Sequence, residues 1–187
     1  MSSQAFSRLA IAAFPFERRA AAEEAAQALK PFVDPSYRQS SVQAQILGRN
    51  VSIPRRIHFL PGLDLRKSSD RDKRWLAIHC LCTRSTDGFL RQQMLRAILP
   101  GTDPVAIPFI ALLAGEYVVE IINDIVLALP TMDHATYANF VRENRPLMLT
   151  LKAKATSYWD CFYREQFPQR SNYPGLAFLH EIERWAA

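Results

Sequence analysis

The stretch RWLAIHCLCTRSTDGFLRQQMLRAIL, residues 74–99, decides the fold. It sets a His, two Cys and four Arg among apolar residues. Thiols beside a His invite a metal or thiol-chemistry reading, but the spacing argues against one. Cys80 and Cys82 lie two apart, so on a helix they point about 200° away from each other. A zinc pair needs a knuckle, or an i, i+4 step along one face. Buried cysteine packs as a small hydrophobe. Trp75, Leu76, Ile78, His79, Leu81 and Cys82 instead supply the buried positions of one helix, which RSTDG interrupts. Phe89, Leu90, Met94, Leu95, Ile98 and Leu99 then step by three, four and one, the rhythm of a second helix. Ser69 or Asp70 caps the first, Thr86 or Asp87 the second, and Pro100 with Gly101 closes the pair.

The same rhythm extends in both directions. Asp103 and Pro104 open a further apolar stretch, either one long helix or two that break near Gly115. Its first half carries almost nothing polar, while Glu116, Glu120, Asn123 and Asp124 mark a polar stripe on the second. Those acids also argue against a membrane span, since each costs about 2.5 kcal/mol or more at a bilayer centre. A capped helix follows from about Asp133 to Arg145. Asn144 and Pro146 start another, with Leu147, Leu151, Ala155, Tyr158 or Trp159, and Phe162 on one side. LAFLHEIERW is the last, with Leu176, Leu179, Ile182 and Trp185 on one face. Upstream, PFERRAAAEEAAQALKPF reads as a helix whose alanine face buries little area and is expected at the periphery. Between 34 and 66, DPSYRQSSVQAQILGRN allows a short helix ending at Gly48. VSIPRRIHFLPG alternates like a strand, demoted to an edge by Pro54.

Within the second helix, LRQQMLRAI (Leu90 to Ile98) places an apolar residue and Arg91 ahead of Met94, Ala97 and Ile98 at three, six and seven positions, with Asp87 before them. This resembles the second helix of a HEAT-type repeat, and Trp75, Ala77, Ile78 and Leu81 suit its first. Met94 departs from the small residue preferred at the tightest contact. The resemblance covers about 30 of 187 residues. A shift of 28 sets Phe89, Leu90, Ala97 and Ile98 against Tyr117, Val118, Ile125 and Val126, a second, degenerate unit. The resemblance implies a scaffold that binds proteins or nucleic acid along one surface, a fold class in which few members are enzymes.

Charge is concentrated. From Arg49 to Arg74 eight basic residues face three acids, which accounts for the whole net charge of +5. The expected binding segment is Arg55, Arg56, Arg66, Lys67, Arg71, Lys73 and Arg74, attractive to an acidic protein partner or to nucleic acid. A candidate pocket lies in TSYWDCFYRE, where Tyr158, Asp160, Cys161 and Arg164 fall together. Asp160 and Arg164 also suit an i, i+4 ion pair on the outside of a helix. Three Cys without scaffold spacing fit a reducing cytoplasm. The four His fall in four different elements, and no HExxH, GxSxG, P-loop or GxGxxG occurs, so no cofactor, metal or catalytic set is indicated.

These readings amount to a single all-α domain over 1–187. Its parts are an N-terminal helix (1–33), a basic, partly irregular arm (34–68), central antiparallel hairpins (69–129) packed side by side, and C-terminal helices (130–187) covering one flank. The expected function is a non-catalytic adaptor for an acidic protein. Nucleic-acid binding through the same segment, or an enzyme using Cys161 and Asp160, are the alternatives.

Overall fold

A computed structural model describes residues 3–34, 36, 40–63 and 73–187. The chain is mostly helical, with one small two-stranded sheet among the described residues. It divides into two compact units, residues 1–98 and 99–187. No helix among the described residues is long and apolar enough to cross a membrane.

The first unit holds α1 (Ser3–Ala12), α2 (Arg19–Leu29), β1 (Ser41–Ile46), β2 (Arg49–Pro54), α3 (Lys73–Cys82) and α4 (Gly88–Ile98). Helix α2, expected at the periphery, packs on both α1 and α3. Ala22, Ala25 and Ala26 are buried with Leu29. Small side chains bury little area each, but they let two neighbours approach closely, and that places α2 between them.

SVQAQI, in a stretch that allowed a short helix, forms β1 instead. It pairs antiparallel with β2 in the register Val42↔Ile53, Ala44↔Val51 and Ile46↔Arg49. Alternate side chains Ala44, Ile46, Val51 and Ile53 are buried, so period-two burial overrides the helix preference of Ala and Gln. Leu47 and Gly48 join the strands at φ 52° and 72°. A two-residue hairpin turn that follows the strand twist requires positive φ at both places. Glycine adopts that freely, whereas Leu47 meets the Cβ penalty of the left-handed region. Past β2 the chain stays extended: Ile57 bridges Ser85 and Phe59 bridges Val33. Within the expected irregular arm, residues 40–63 thus form a hairpin and an extended run bridged to Ser85 and Val33.

Helices α3 and α4 pack as the antiparallel pair expected from residues 74–99. Asp87 caps α4, its carboxylate accepting from the Phe89 amide at 2.9 Å. The expected caps Ser69 and Asp70 lie outside the described residues. Phe89, placed on the apolar side from its spacing, is exposed. The buried side of α4 is Arg91, Met94, Leu95 and Ile98. At 100° per residue Phe89 lies about 160° around from Arg91, so an arginine takes the inner side and leaves the phenylalanine out.

The second unit holds α5 (Ile107–Ala114), α6 (Val119–Ala128), α7 (His134–Glu143), α8 (Arg145–Tyr158) and α9 (Pro174–Ala186). The break near Gly115 is present. All eight residues of α5 are buried. Glu116 sits in the α5–α6 turn and is buried, so it does not join the exposed stripe of α6. Asp103 and Asp133 cap their helical turns by accepting from Val105 N and Thr136 N. Helix α9 packs against α5, α6, α7 and α8. Leu176, Leu179 and Ile182 are buried, as their spacing requires, and the last helix is the hub of this unit.

Candidate functional site

The turn TRSTDG between α3 and α4 was legible only as a break, and it organises the basic segment. Thr83, Arg84 and Ser85 are all buried. The Arg84 guanidinium, 3% exposed, donates from Nε to Pro54 O at 3.2 Å and from Nη2 to Arg55 O at 2.8 Å. Its own carbonyl accepts from Ile57 N at 2.7 Å, and Ile57 O accepts from Thr86 N at 2.9 Å. His58 Nδ1 and Thr86 Oγ1 lie 2.8 Å apart. Arg91 Nη1 closes the turn from the other side, donating to Ser85 O and Thr86 O. The chain from Pro54 to His58 is therefore stapled to the α3–α4 turn, and the backbone of Arg55 and Arg56 is held in place.

The expected binding residues distribute as follows. Arg55 and Arg74 are exposed, and no ion pair among the described residues engages either. Arg56 is half-buried and donates to the Arg55 carbonyl. Arg66, Lys67 and Arg71 lie outside the described residues, as does the side chain of Lys73. Arg49, at the start of β2, is paired with Glu17 at 3.0 Å. That guanidinium and backbone hydrogen bonding lower the Glu17 carboxyl below its ordinary value, the backbone bond being the larger cause.

Cys80 and Cys82 are both buried, on a helix that packs on α2 as well as on α4. Burial pushes the Cys82 thiol far up, so it stays protonated. His79 is buried, stacked on Trp75 at 3.9 Å between centroids, with Nδ1 2.7 Å from Trp75 O. Desolvation lowers its pKa, against a smaller opposing effect of that hydrogen bond. These side chains are packed as core. Among the described residues no group of three or more His, Cys, Asp or Glu is placed to hold a metal ion.

In the second unit α8 runs into a π-helical turn, Trp159–Tyr163. The wider turn shifts the phase of the apolar stripe. Leu147, Leu151 and Ala155 are buried as expected, whereas Phe162 is 68% exposed. Asp160 and Arg164 form an exposed i, i+4 ion pair, and the Arg164 guanidinium also lies over the Trp159 ring at 5.2 Å. Cys161 is exposed. Tyr158 is half-buried and lies between the Tyr117 and Phe162 rings, 5.8 and 6.4 Å away. Of the four residues expected as a pocket, Asp160, Cys161 and Arg164 are thus exposed and Tyr158 is half-buried between aromatic rings. Tyr163 and Tyr173 stack at 5.4 Å. Desolvation raises both of their hydroxyl pKa values.

Spacing along the chain gave no sign of one further feature. Where α7 meets α8, next to the end of α9, Val141, Arg142, Arg145, Met148, Leu149, Glu183, Ala186 and Ala187 line an open groove of about 370 Å3. Arg142 falls in the last turn of α7 and Arg145 begins α8, and only the fold brings them to one concave surface. Comparison with known proteins finds no matching family model, no matching curated protein and no matching solved structure.

Proposed function

We propose that this chain is a non-catalytic binding module that engages an acidic protein partner through its basic segment. The observation that supports this most is the buried Arg84 clamp. It fixes the backbone that carries Arg55, so an exposed guanidinium is presented without the ordering cost a floppy arm would incur on binding. Arg74, exposed at the start of α3, adds a second cation. The HEAT-like pattern of α3 and α4 agrees with a scaffold role, and thiols at all three Cys suit a reducing cytoplasm.

A nucleic-acid reading is favoured by one observation of its own, the exposed rings of Tyr117 and Phe162 on either side of Tyr158, since bases stack on such rings. Fluorescence anisotropy separates the two. A labelled polyglutamate peptide should bind at low salt, and the double variant Arg55→Glu/Arg74→Glu should weaken it about tenfold or more, a loss of roughly 1.4 kcal/mol. A labelled single-stranded or duplex oligonucleotide should bind far more weakly. Oligonucleotide binding with a log–log salt slope proportional to the phosphates contacted, together with unchanged polyglutamate affinity in the variant, would overturn the adaptor reading.

A further inference from the structure

The groove between α7, α8 and the end of α9 lies outside the basic segment. Its floor is apolar, with Val141 and Met148 buried beneath it. Leu149, 65% exposed, stands at its edge. Its charge is one-sided. Arg142 and Arg145 are both exposed. Arg142 donates to the side chain of Asn139, which is neutral. No ion pair among the described residues engages Arg145. The remaining charged lining residue, Glu183, is neutralised by Lys152, whose ammonium reaches its two oxygens at 2.7 and 2.9 Å. Counting a carboxylate at Ala187 against the two guanidinium groups still leaves the rim positive.

An apolar floor with a cationic rim sets what the groove can hold. A purely apolar segment would leave the guanidinium groups without partners, and a polyanion such as nucleic acid would leave the floor uncovered. At about 370 Å3 the groove is near the lower end of ligand sites, roughly 300–1,000 Å3. That suits one or two side chains and is too small for a whole helix. Guanidinium groups pair with carboxylates in a planar, two-pronged geometry that Lys does not reproduce. We infer that this groove binds a short peptide segment of a protein partner in which a large apolar side chain is flanked by carboxylates. The apolar side chain lies on Met148 and Val141, and the carboxylates meet Arg142 and Arg145. This inference does not depend on the role proposed for Arg55 and Arg74.

The test uses the full chain and a fluorescein-labelled peptide, Asp-Leu-Glu-Phe-Asp, with its Asn/Gln counterpart as control. Anisotropy should show saturable binding of the acidic peptide and at least about tenfold weaker binding of the amide form. Arg142→Glu/Arg145→Glu should abolish binding, and Arg142→Lys/Arg145→Lys should weaken it less. Both arginines are exposed, so these variants keep the fold, which circular dichroism checks. Arg55→Glu/Arg74→Glu should bind the peptide normally. In protein with 13C-labelled methionine methyls, the Met148 signal should shift on titration while Met94 stays in place. No saturable binding, equal affinity for both peptides, or full binding by the Arg142→Glu/Arg145→Glu variant would overturn the inference. Loss of binding only in Arg55→Glu/Arg74→Glu would place the carboxylate site on the basic segment instead.

Discussion

Replacing Arg84 with Met should lower folding stability by about 1–3 kcal/mol, which urea denaturation followed by circular dichroism would measure. The guanidinium is buried and donates to Pro54 O and Arg55 O. Methionine fills much of the same space but donates nothing. The Pro54 carbonyl then loses its Arg84 donor, at a cost of about 1–3 kcal/mol where it remains dry, while the Arg55 carbonyl keeps the Arg56 guanidinium. Relief from burying a cation returns part of this, because a buried charge carries a desolvation penalty that an apolar residue avoids. The lost donors outweigh that relief, since the partners are fixed backbone and cannot turn to water without breaking the Ile57–Arg84 and Thr86–Ile57 bonds beside them. Amide exchange at Ile57 and Thr86 should accelerate more than exchange in α9, which lies in the other unit. A change within about 0.5 kcal/mol, the range of an unremarkable surface substitution, would show that the clamp does not hold the segment.

The second large effect belongs to Gly175→Ala, at the start of α9. A methyl there would stand 2.6 Å from the Ala114 carbonyl oxygen and 3.0 Å from Tyr173 Cε1. Ala114 ends a helix that is buried along its whole length, so its carbonyl has no room to retreat and α9 must lift away. Overpacking of this kind costs about 1–3 kcal/mol, and here it falls on the helix that holds its unit together. Gly115→Ala is the control. Its methyl would meet Leu151 Cδ2 at 2.8 Å, the far end of a flexible side chain, with backbone no nearer than 3.5 Å. Urea denaturation should rank Gly175→Ala as clearly the more damaging of the two. The reverse order would contradict the close approach of α9 to α5.

Most helices were readable because their ends are chemically marked. Asp87, Asp103 and Asp133 each accept from an amide one turn or less downstream, and Pro130 falls in the short 3-10 turn that ends α6. These are local interactions, which a local pattern reports faithfully. β1 was not readable, because SVQAQI is composed of acceptable helix formers and its turn is Leu-Gly where Asn-Gly would have announced a hairpin. Its identity depends on β2 and on burial of Ala44 and Ile46, which are tertiary facts. α1, Ser3–Ala12, was missed for a related reason. Its sequence lacks the Pro and Glu that mark the next helix.

The same division applies to the sites. Arg55 and Arg74 stood out as charge, and charge does sit at the surface. Arg91 stood out only within the HEAT-type pattern and Arg84 not at all, yet both are buried and tie a turn together through backbone oxygens that no spacing rule connects to them. Asp160 and Arg164 pair as i, i+4 spacing predicts. The outward position of Phe162 came from a π turn, which shifts the helical phase and leaves no mark in the residue pattern. Arg142 and Arg145 became notable only once α9 brought Glu183, Ala186 and Ala187 beside them.

The central claim is that the residues around IHCLC are the packed interior of a helix pair and not a reactive or metal-gripping site. Counting thiols with an aromatic disulfide reagent tests it most directly. Folded protein should react rapidly at one thiol, that of Cys161, and all three should react once the chain is unfolded in urea. Rapid reaction of Cys80 or Cys82 in the folded protein, or protection of both that a strong chelator abolishes, would contradict the account.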